Sequence, residues 1–157
     1  MDDMRSIADY RVRDLFAAIA SAQVAPGAGS AAGVALGLAA SCLGKAAIIS
    51  LKHRPDDPTL QSAPAMCAAV ARFALMDADR DSAEFAQFMH SHSAAAGARL
   101  IDTGEAFAAL RTRLVALIDQ IEPHVEANMA GDVVAARALA EAARVIYSRN
   151  EEEAKGG

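Results

Sequence analysis

The sequence predicts an all-α protein, a single-domain bundle of about five helices around a central helix rich in alanine and glycine. Strong helix formers (Ala, Leu, Arg, Met and Glu) dominate its 157 residues. No stretch has the alternating β-branched pattern that is typical of a strand. Aromatic residues make up only 4% of the chain, and Trp is missing. Small side chains that allow close helix packing must therefore replace bulky ones in the core.

The first two predicted helices are separated by a bend at residues 26–29. The first helix covers residues 6–22. Its apolar side consists of Val12, Leu15, Phe16 and Ile19. Proline and glycine in the bend interrupt the helical pattern. The second helix runs from Ser30, a residue type favoured at the N-cap, to about Lys52.

The three remaining helices are expected at residues 62–92, 98–121 and 132–149. A polar loop at residues 53–58 precedes the third helix, whose first turn would hold Pro64. An apolar heptad-like row marks the fourth: Phe107, Leu110, Leu114, Leu117 and Ile121. The fifth begins at Asp132, a candidate N-cap. We expect residues 1–150 to form one domain and residues 151–157 to be a frayed acidic tail.

Charge and cysteine content limit the function classes. The net charge is -5 and no basic stripe is present, which argues against a nucleic-acid partner. Cys42 and Cys67 lie in apolar stretches, so we expect buried thiols rather than a disulfide or a metal pair. His90 and His92 would face different directions on a helix, and no metal site is predicted. The acidic residues 1–4 lack the positive charge of a signal peptide, which predicts a cytoplasmic protein.

An uncharged run at residues 15–44 raises the alternative of a membrane span. A spanning helix needs about 20 apolar residues, so the length suffices. However, the run contains Pro26, and large aliphatic residues are scarce between Val24 and Gly44. A buried central helix explains this composition better, so no membrane partner is predicted. Small residues in steps of four would let another helix approach closely: Gly29, Gly33 and Gly37.

Three carboxyl groups lie on an otherwise apolar row of the third predicted helix. The row consists of Met66, Val70, Phe73, Asp77, Asp81, Glu84 and Phe88. One interpretation is a cleft lined by acids, where burial raises the pKa of a carboxyl group and suits it to proton transfer or to a cationic ligand. In the other, Leu75, Met76 and Phe85 face the core and the acids face water. The sequence leaves both open.

Several short motifs, taken in order, carry a resemblance to a known family. The bend Pro26-Gly27-Ala28-Gly29-Ser30 leads into the Ala/Gly-rich helix, and Asp79-Arg80-Asp81-Ser82-Ala83-Glu84-Phe85 lies on the third. Asn128, Asp132 and Asn150 then flank and follow an Ala-rich helix. Over residues 7–150 this layout resembles the cyclodeaminase/cyclohydrolase family. That family comprises the C-terminal domain of formiminotransferase-cyclodeaminase and stand-alone bacterial methenyltetrahydrofolate cyclohydrolases.

The resemblance implies an enzyme of folate one-carbon chemistry. It would hydrolyse 5,10-methenyltetrahydrofolate to 10-formyltetrahydrofolate, or cyclise 5-formiminotetrahydrofolate with loss of ammonia. Neither reaction needs a metal or a redox cofactor, and the tetrahydrofolate derivative is the substrate. The resemblance further implies a homodimer, in which the glycine row would allow close packing, possibly against the symmetry mate.

The same resemblance suggests roles for individual residues. Asp81 would stabilise the substrate cation and accept a proton from water, with Asp77 or Glu84 tuning it. Charge alone suggests that Lys52 and Arg54 meet the glutamate carboxylates of folate. The bend would hold the pterin edge through backbone groups and the serine hydroxyl, and its residues are Pro26, Gly27, Ala28, Gly29 and Ser30.

Departures from the family pattern support an alternative function. Ala28 adds a methyl group in the bend, and Glu84 stands where a small residue is usual. Residues 90–93 replace a Leu-Pro pair, and Gly131 replaces a serine. The alternative is a diverged, non-catalytic bundle that binds a folate-like ligand or a partner subunit.

Overall fold

Five α-helices make up most of residues 5–156, the part of the chain that the computed structural model describes, with side chains described as far as Ser148. The helices are α1 (Val12–Ile19), α2 (Ala28–Leu51), α3 (Pro58–Ser91), α4 (Ala94–Ile121) and α5 (Ala130–Gly156). Short 3-10 turns lie at Ile7–Asp9, Glu122–His124 and Ala127–Met129. No strand occurs among the described residues, and the predicted all-α bundle is confirmed.

The Ala/Gly-rich helix α2 is the centre of the bundle. It packs against α3 and α5 and more lightly against α4. Its fully buried apolar side chains are Ala32, Leu36, Ala39, Ala40, Leu43, Ala46 and Ala47. Such small side chains let neighbouring helices approach from several directions, which explains why so few aromatic residues are needed.

The glycine row of α2 faces α3 of the same chain. A Cβ atom added at Gly33 would lie 2.6 Å from the Ala78 Cβ and 2.9 Å from the Ala74 carbonyl oxygen. At Gly37 an added Cβ would make only ordinary contacts, the nearest at 3.6 Å. The close approach predicted for this row is therefore present. The suggestion that a symmetry mate fills the row is wrong, because α3 covers it.

Helix α3 begins four residues earlier than predicted. The Asp57 side chain accepts hydrogen bonds from the backbone N–H groups of Thr59 and Leu60, and Pro58 is the first helical residue. Pro64 consequently lies inside the helix rather than in its first turn. The buried face of α3 consists of Leu60, Ala63, Cys67, Val70, Ala74, Ala78, Asp81 and Ser82.

The other helix ends also differ from prediction. Helix α1 is shorter at both ends, and Ser6 caps a 3-10 turn instead of starting the helix. Helix α4 begins at Ala94, capped by Ser93. Helix α5 begins at Ala130 rather than after an Asp132 cap, and its backbone is helical as far as Gly156. It thus continues through most of the segment expected to be a frayed tail. The Asn150 side chain of the last motif lies outside the described residues.

Within the described chain, α2 is the helix that is long and apolar enough to cross a membrane. Half of its most apolar stretch is buried inside the fold. A central helix of a bundle has the same composition as a spanning helix, so this observation is weak evidence for a span.

Candidate functional site

The glycine bend and the acidic part of α3 meet at one point. Gly27 precedes α2 as its N-cap, and Gly29 lies in the first turn of that helix, directly against Asp81. A Cβ atom added at Gly29 would lie 2.7 Å from Asp81 Oδ1 and would overlap the rest of the carboxylate. Only glycine therefore lets the backbone of α2 approach this carboxyl group.

A second contact joins the same two helices one residue further along each. The hydroxyl groups of Ser30 and Ser82 lie 2.6 Å apart and are buried. Each serine satisfies the other, so the pair removes the cost of burying two lone hydroxyl groups. The contact also fixes the register of α2 on α3, and thereby the placement of Gly29 against Asp81.

Asp81 lies on the buried face of α3. The residue is 8% exposed. Burial raises the pKa of Asp81 to about 6, while the nearby Tyr147 hydroxyl acts in the opposite direction. Met76 and Phe85 are exposed. The interpretation in which these two residues face the core while the acids face water is therefore wrong for Asp81.

The two neighbouring acids are less buried than Asp81. Burial raises the pKa of Asp77, against the opposing charge of Arg80. Glu84 forms an ion pair with Arg99 of α4 at 2.7 Å. The suggestion that Asp77 or Glu84 tunes the catalytic role of Asp81 stays a prediction.

Ala28, one of the departures from the family pattern, does not disturb the bend. It is the first residue of α2 and is exposed. Among the described residues only His92 combines a side chain with a positive φ, so Ala28 carries no such strain. The position where a methyl group would clash is Gly29, which the chain keeps as glycine.

Tyr147 of α5 is a polar group of the site that the sequence did not reveal. It is 5% exposed, and its hydroxyl lies near Asp81 without forming a hydrogen bond to any described residue. Its ring stacks on Phe107 of α4, with centroids 3.6 Å apart and an angle of 21°. The available signal was its place on the buried face of α5, four residues after Ala143.

A cleft of about 580 Å³ lies beside this contact, between the N-terminal segment, the bend and α3. Residues lining it include Tyr10, Gln23, Pro26, Asp79, Ser82 and Ala83. Asp79 accepts hydrogen bonds from the Ser6 hydroxyl at 2.7 Å and from the Ile7 N–H at 2.5 Å. The cleft therefore reaches Pro26 of the bend and Ser82, whereas Asp81 is not among the residues that line it.

Lys52 and Arg54 lie far from the bend and Asp81. They follow α2 at its C-terminal end, whereas the bend precedes its N-terminus. A helix of 24 residues is about 36 Å long. Arg54 also pairs with Glu126 at 3.1 Å. The contact suggested between these two residues and the glutamate carboxylates of folate stays a prediction.

Comparison with protein families and with curated proteins gives no independent indication of function. No protein-family model matches the chain, and no curated protein matches it. Within the described residues, no cluster of three His, Cys, Asp or Glu side chains is arranged to hold a metal ion.

Proposed function

We propose that this chain is a folate one-carbon enzyme that uses Asp81 as its general base. The observation that carries the proposal is the Asp81 carboxyl group, buried against Gly29 and with a pKa of about 6. A base is most effective when its pKa lies near the working pH, and Asp81 meets this condition near neutrality. The order of the motifs supports the choice of substrate class.

In the proposed hydrolysis, water attacks the bridge carbon of the methenyl cation. The Asp81 carboxylate accepts a proton from the attacking water and stabilises the positive charge of the cation. The bond from the bridge carbon to one nitrogen then breaks, and Asp81 returns its proton to that nitrogen. The hydroxyl group on the bridge carbon loses its proton to solvent, which leaves the formyl group on the other nitrogen. In the related cyclisation, the same carboxyl group would transfer protons as the formimino group closes and ammonia leaves.

The cleft beside the bend supports the proposed placement of the substrate. Its volume of about 580 Å³ falls within the usual range for small-molecule sites. A pterin edge near Pro26 would meet backbone groups of the bend, with Ser82 on the opposite wall. A small movement of the cleft wall must then bring the reacting carbon to Asp81.

The enzyme proposal is tested by following the loss of methenyltetrahydrofolate absorbance with purified protein near pH 7. We expect turnover above the buffer rate and a loss of about 10²- to 10⁴-fold in Asp81→Asn. Asp102→Asn, an exposed change on α4, serves as the matched control and is expected to keep full activity. A wild-type rate equal to buffer contradicts the enzyme proposal, and full activity in Asp81→Asn contradicts the assigned base.

A second candidate is a non-catalytic bundle that binds a folate-like ligand or a partner subunit. The observation that favours it is the lining of the cleft, which includes Asp79 and Ser82 but not Asp81. Calorimetric binding of reduced folates without turnover supports this function. Absence of both binding and turnover contradicts both ligand-based candidates and leaves the partner subunit.

We also propose that the chain is a cytoplasmic homodimer. Large apolar side chains that are about half exposed or more on α1 and α2 support an interface: Val12, Phe16, Leu38 and Ile48. Light scattering after gel filtration in detergent-free buffer is expected to give twice the chain mass of 16.3 kDa. A monomeric mass contradicts the dimer, and recovery only in detergent contradicts the cytoplasmic assignment.

A further inference from the structure

The hydroxyl group of Tyr147 is buried and lacks a hydrogen-bond partner among the described residues. Such a group is costly unless a partner is supplied in the working state of the protein. The stack on Phe107 holds the ring in place from the α4 side. The stack therefore orients the ring, and the hydroxyl group lies near Asp81, the acceptor available to it.

Toward the ionised carboxylate of Asp81, Tyr147 can act only as a donor. Burial raises the pKa of Tyr147 far above its usual value, and the negative charges of Asp81 and Asp77 raise it further. The phenol therefore keeps its proton throughout the physiological pH range. A neutral phenol beside a carboxylate stabilises the ionised form of that carboxylate.

The other groups around Asp81 already have partners or other roles. From α2, Gly29 contributes backbone and Ser30 is paired with Ser82. On α3 itself, the charge of Asp77 is opposed by Arg80.

The facing part of α4 carries Arg99, which is paired with Glu84 of α3. Helix α5 supplies Tyr147, which opposes the effect of burial on the pKa of Asp81.

We propose that Tyr147 is the positioning residue for Asp81, donating a hydrogen bond that keeps the carboxylate ionised and aimed at the substrate. Its role as an aid to catalysis rests on the proposed function, whereas the contact itself does not. Without the hydroxyl group, burial alone would act on Asp81, and less of it would be ionised at neutral pH.

The test is an NMR titration of the carboxyl carbon of Asp81 in wild type, Tyr147→Phe and Thr103→Val. Phenylalanine keeps the stack on Phe107 and removes only the hydroxyl group. Thr103 is also fully buried, but its hydroxyl donates to the Arg99 carbonyl oxygen at 3.0 Å within α4, so Thr103→Val is the matched control. Thermal melting of each variant verifies that it is folded.

In Tyr147→Phe we expect the titration midpoint of Asp81 to rise above the wild-type value of about 6. Loss of a hydrogen bond to a charged group corresponds to about tenfold tighter proton binding. The acid limb of the pH profile of kcat/KM is expected to move in the same direction. Thr103→Val should leave both unchanged, because the Thr103 hydroxyl donates its proton to the Arg99 carbonyl oxygen within α4.

An unchanged or lower midpoint in folded Tyr147→Phe overturns the proposal, because a residue that only packs would leave the midpoint alone. An equal rise in Thr103→Val also overturns it, since the effect would then follow from any buried hydroxyl. A raised midpoint in a protein without turnover supports the Tyr147–Asp81 contact and contradicts the proposed enzyme function.

Discussion

Asp81→Asn is expected to stabilise the protein at neutral pH, by an amount that grows as the pH rises. The pKa of Asp81 is about 6 in the fold, against 3.8 for a free aspartate. Between these two values the unfolded chain has lost the proton while the fold still holds it, so stability falls as the pH rises. Since each pKa unit corresponds to about 1.36 kcal/mol, burying the ionised group costs about 3 kcal/mol above pH 6.

The assay is urea unfolding at several pH values from about 4 to 8. We expect the free energies of unfolding of Asp81→Asn and wild type to differ little near pH 4. Near pH 8 the variant should be more stable by about 3 kcal/mol. The exposed Asp102→Asn on α4 serves as control and should follow wild type at every pH.

Other acids do not obscure this result. The pKa of Asp57 is lowered by its hydrogen bond with His124, and the pKa of Glu141 is lowered by Arg144. Both groups therefore stabilise the fold above their unfolded pKa and lose that effect as the pH falls, opposite to Asp81. Asp57 and Glu141 are present in wild type and in both variants, so their contributions cancel when the free energies of unfolding are subtracted. The reasoning is refuted if the difference in free energy of unfolding between Asp81→Asn and wild type is constant with pH. It is also refuted if wild type becomes more stable relative to the variant as the pH rises.

Three further predictions concern the contacts around the site. In urea unfolding, Gly29→Ala should lower the free energy of unfolding by about 1–3 kcal/mol, because the added methyl group clashes with the Asp81 carboxylate. The control Gly131→Ala lies in open space and should be neutral or stabilising by up to about 1 kcal/mol. Equal effects of the two substitutions contradict the close approach at Gly29. Ser30→Ala should lower the free energy of unfolding by about 1–3 kcal/mol because it leaves the Ser82 hydroxyl unpaired, and adding Ser82→Ala should lower it little further. Strictly additive losses in the double variant contradict the hydrogen-bonded pair. Asp79→Ala should speed amide exchange at Ile7, whose N–H it accepts, and an unchanged rate contradicts that anchor.

The sequence predicted the number and order of the helices because strong helix formers fill each segment and proline, glycine or polar residues separate them. The helix ends were less predictable, since several caps compete locally. Asp57 followed by Pro58 is a helix start in the structure, but the same residues read as part of a polar loop. The glycine row predicted close packing, and the sequence had no means of showing that α3 rather than a second chain provides the partner.

The site was predictable only where local pattern carries three-dimensional information. Asp81 stood out because it falls on the apolar row of α3, and its neighbour across the contact, Gly29, came from the bend motif. Tyr147 lies on another helix, and nothing in the spacing of α5 indicates which side chain of α3 it meets. Lys52 and Arg54 were selected by charge alone, and the length of α2 separates them from the bend.

The central claim is that Asp81 is a carboxyl group buried against the glycine bend, with a pKa near neutral pH. The most direct measurement is the pH titration of its carboxyl carbon in the wild-type protein by NMR. The structure predicts a midpoint of about 6. A midpoint near the 3.8 of a free aspartate would contradict the burial of this group and, with it, the proposed general base.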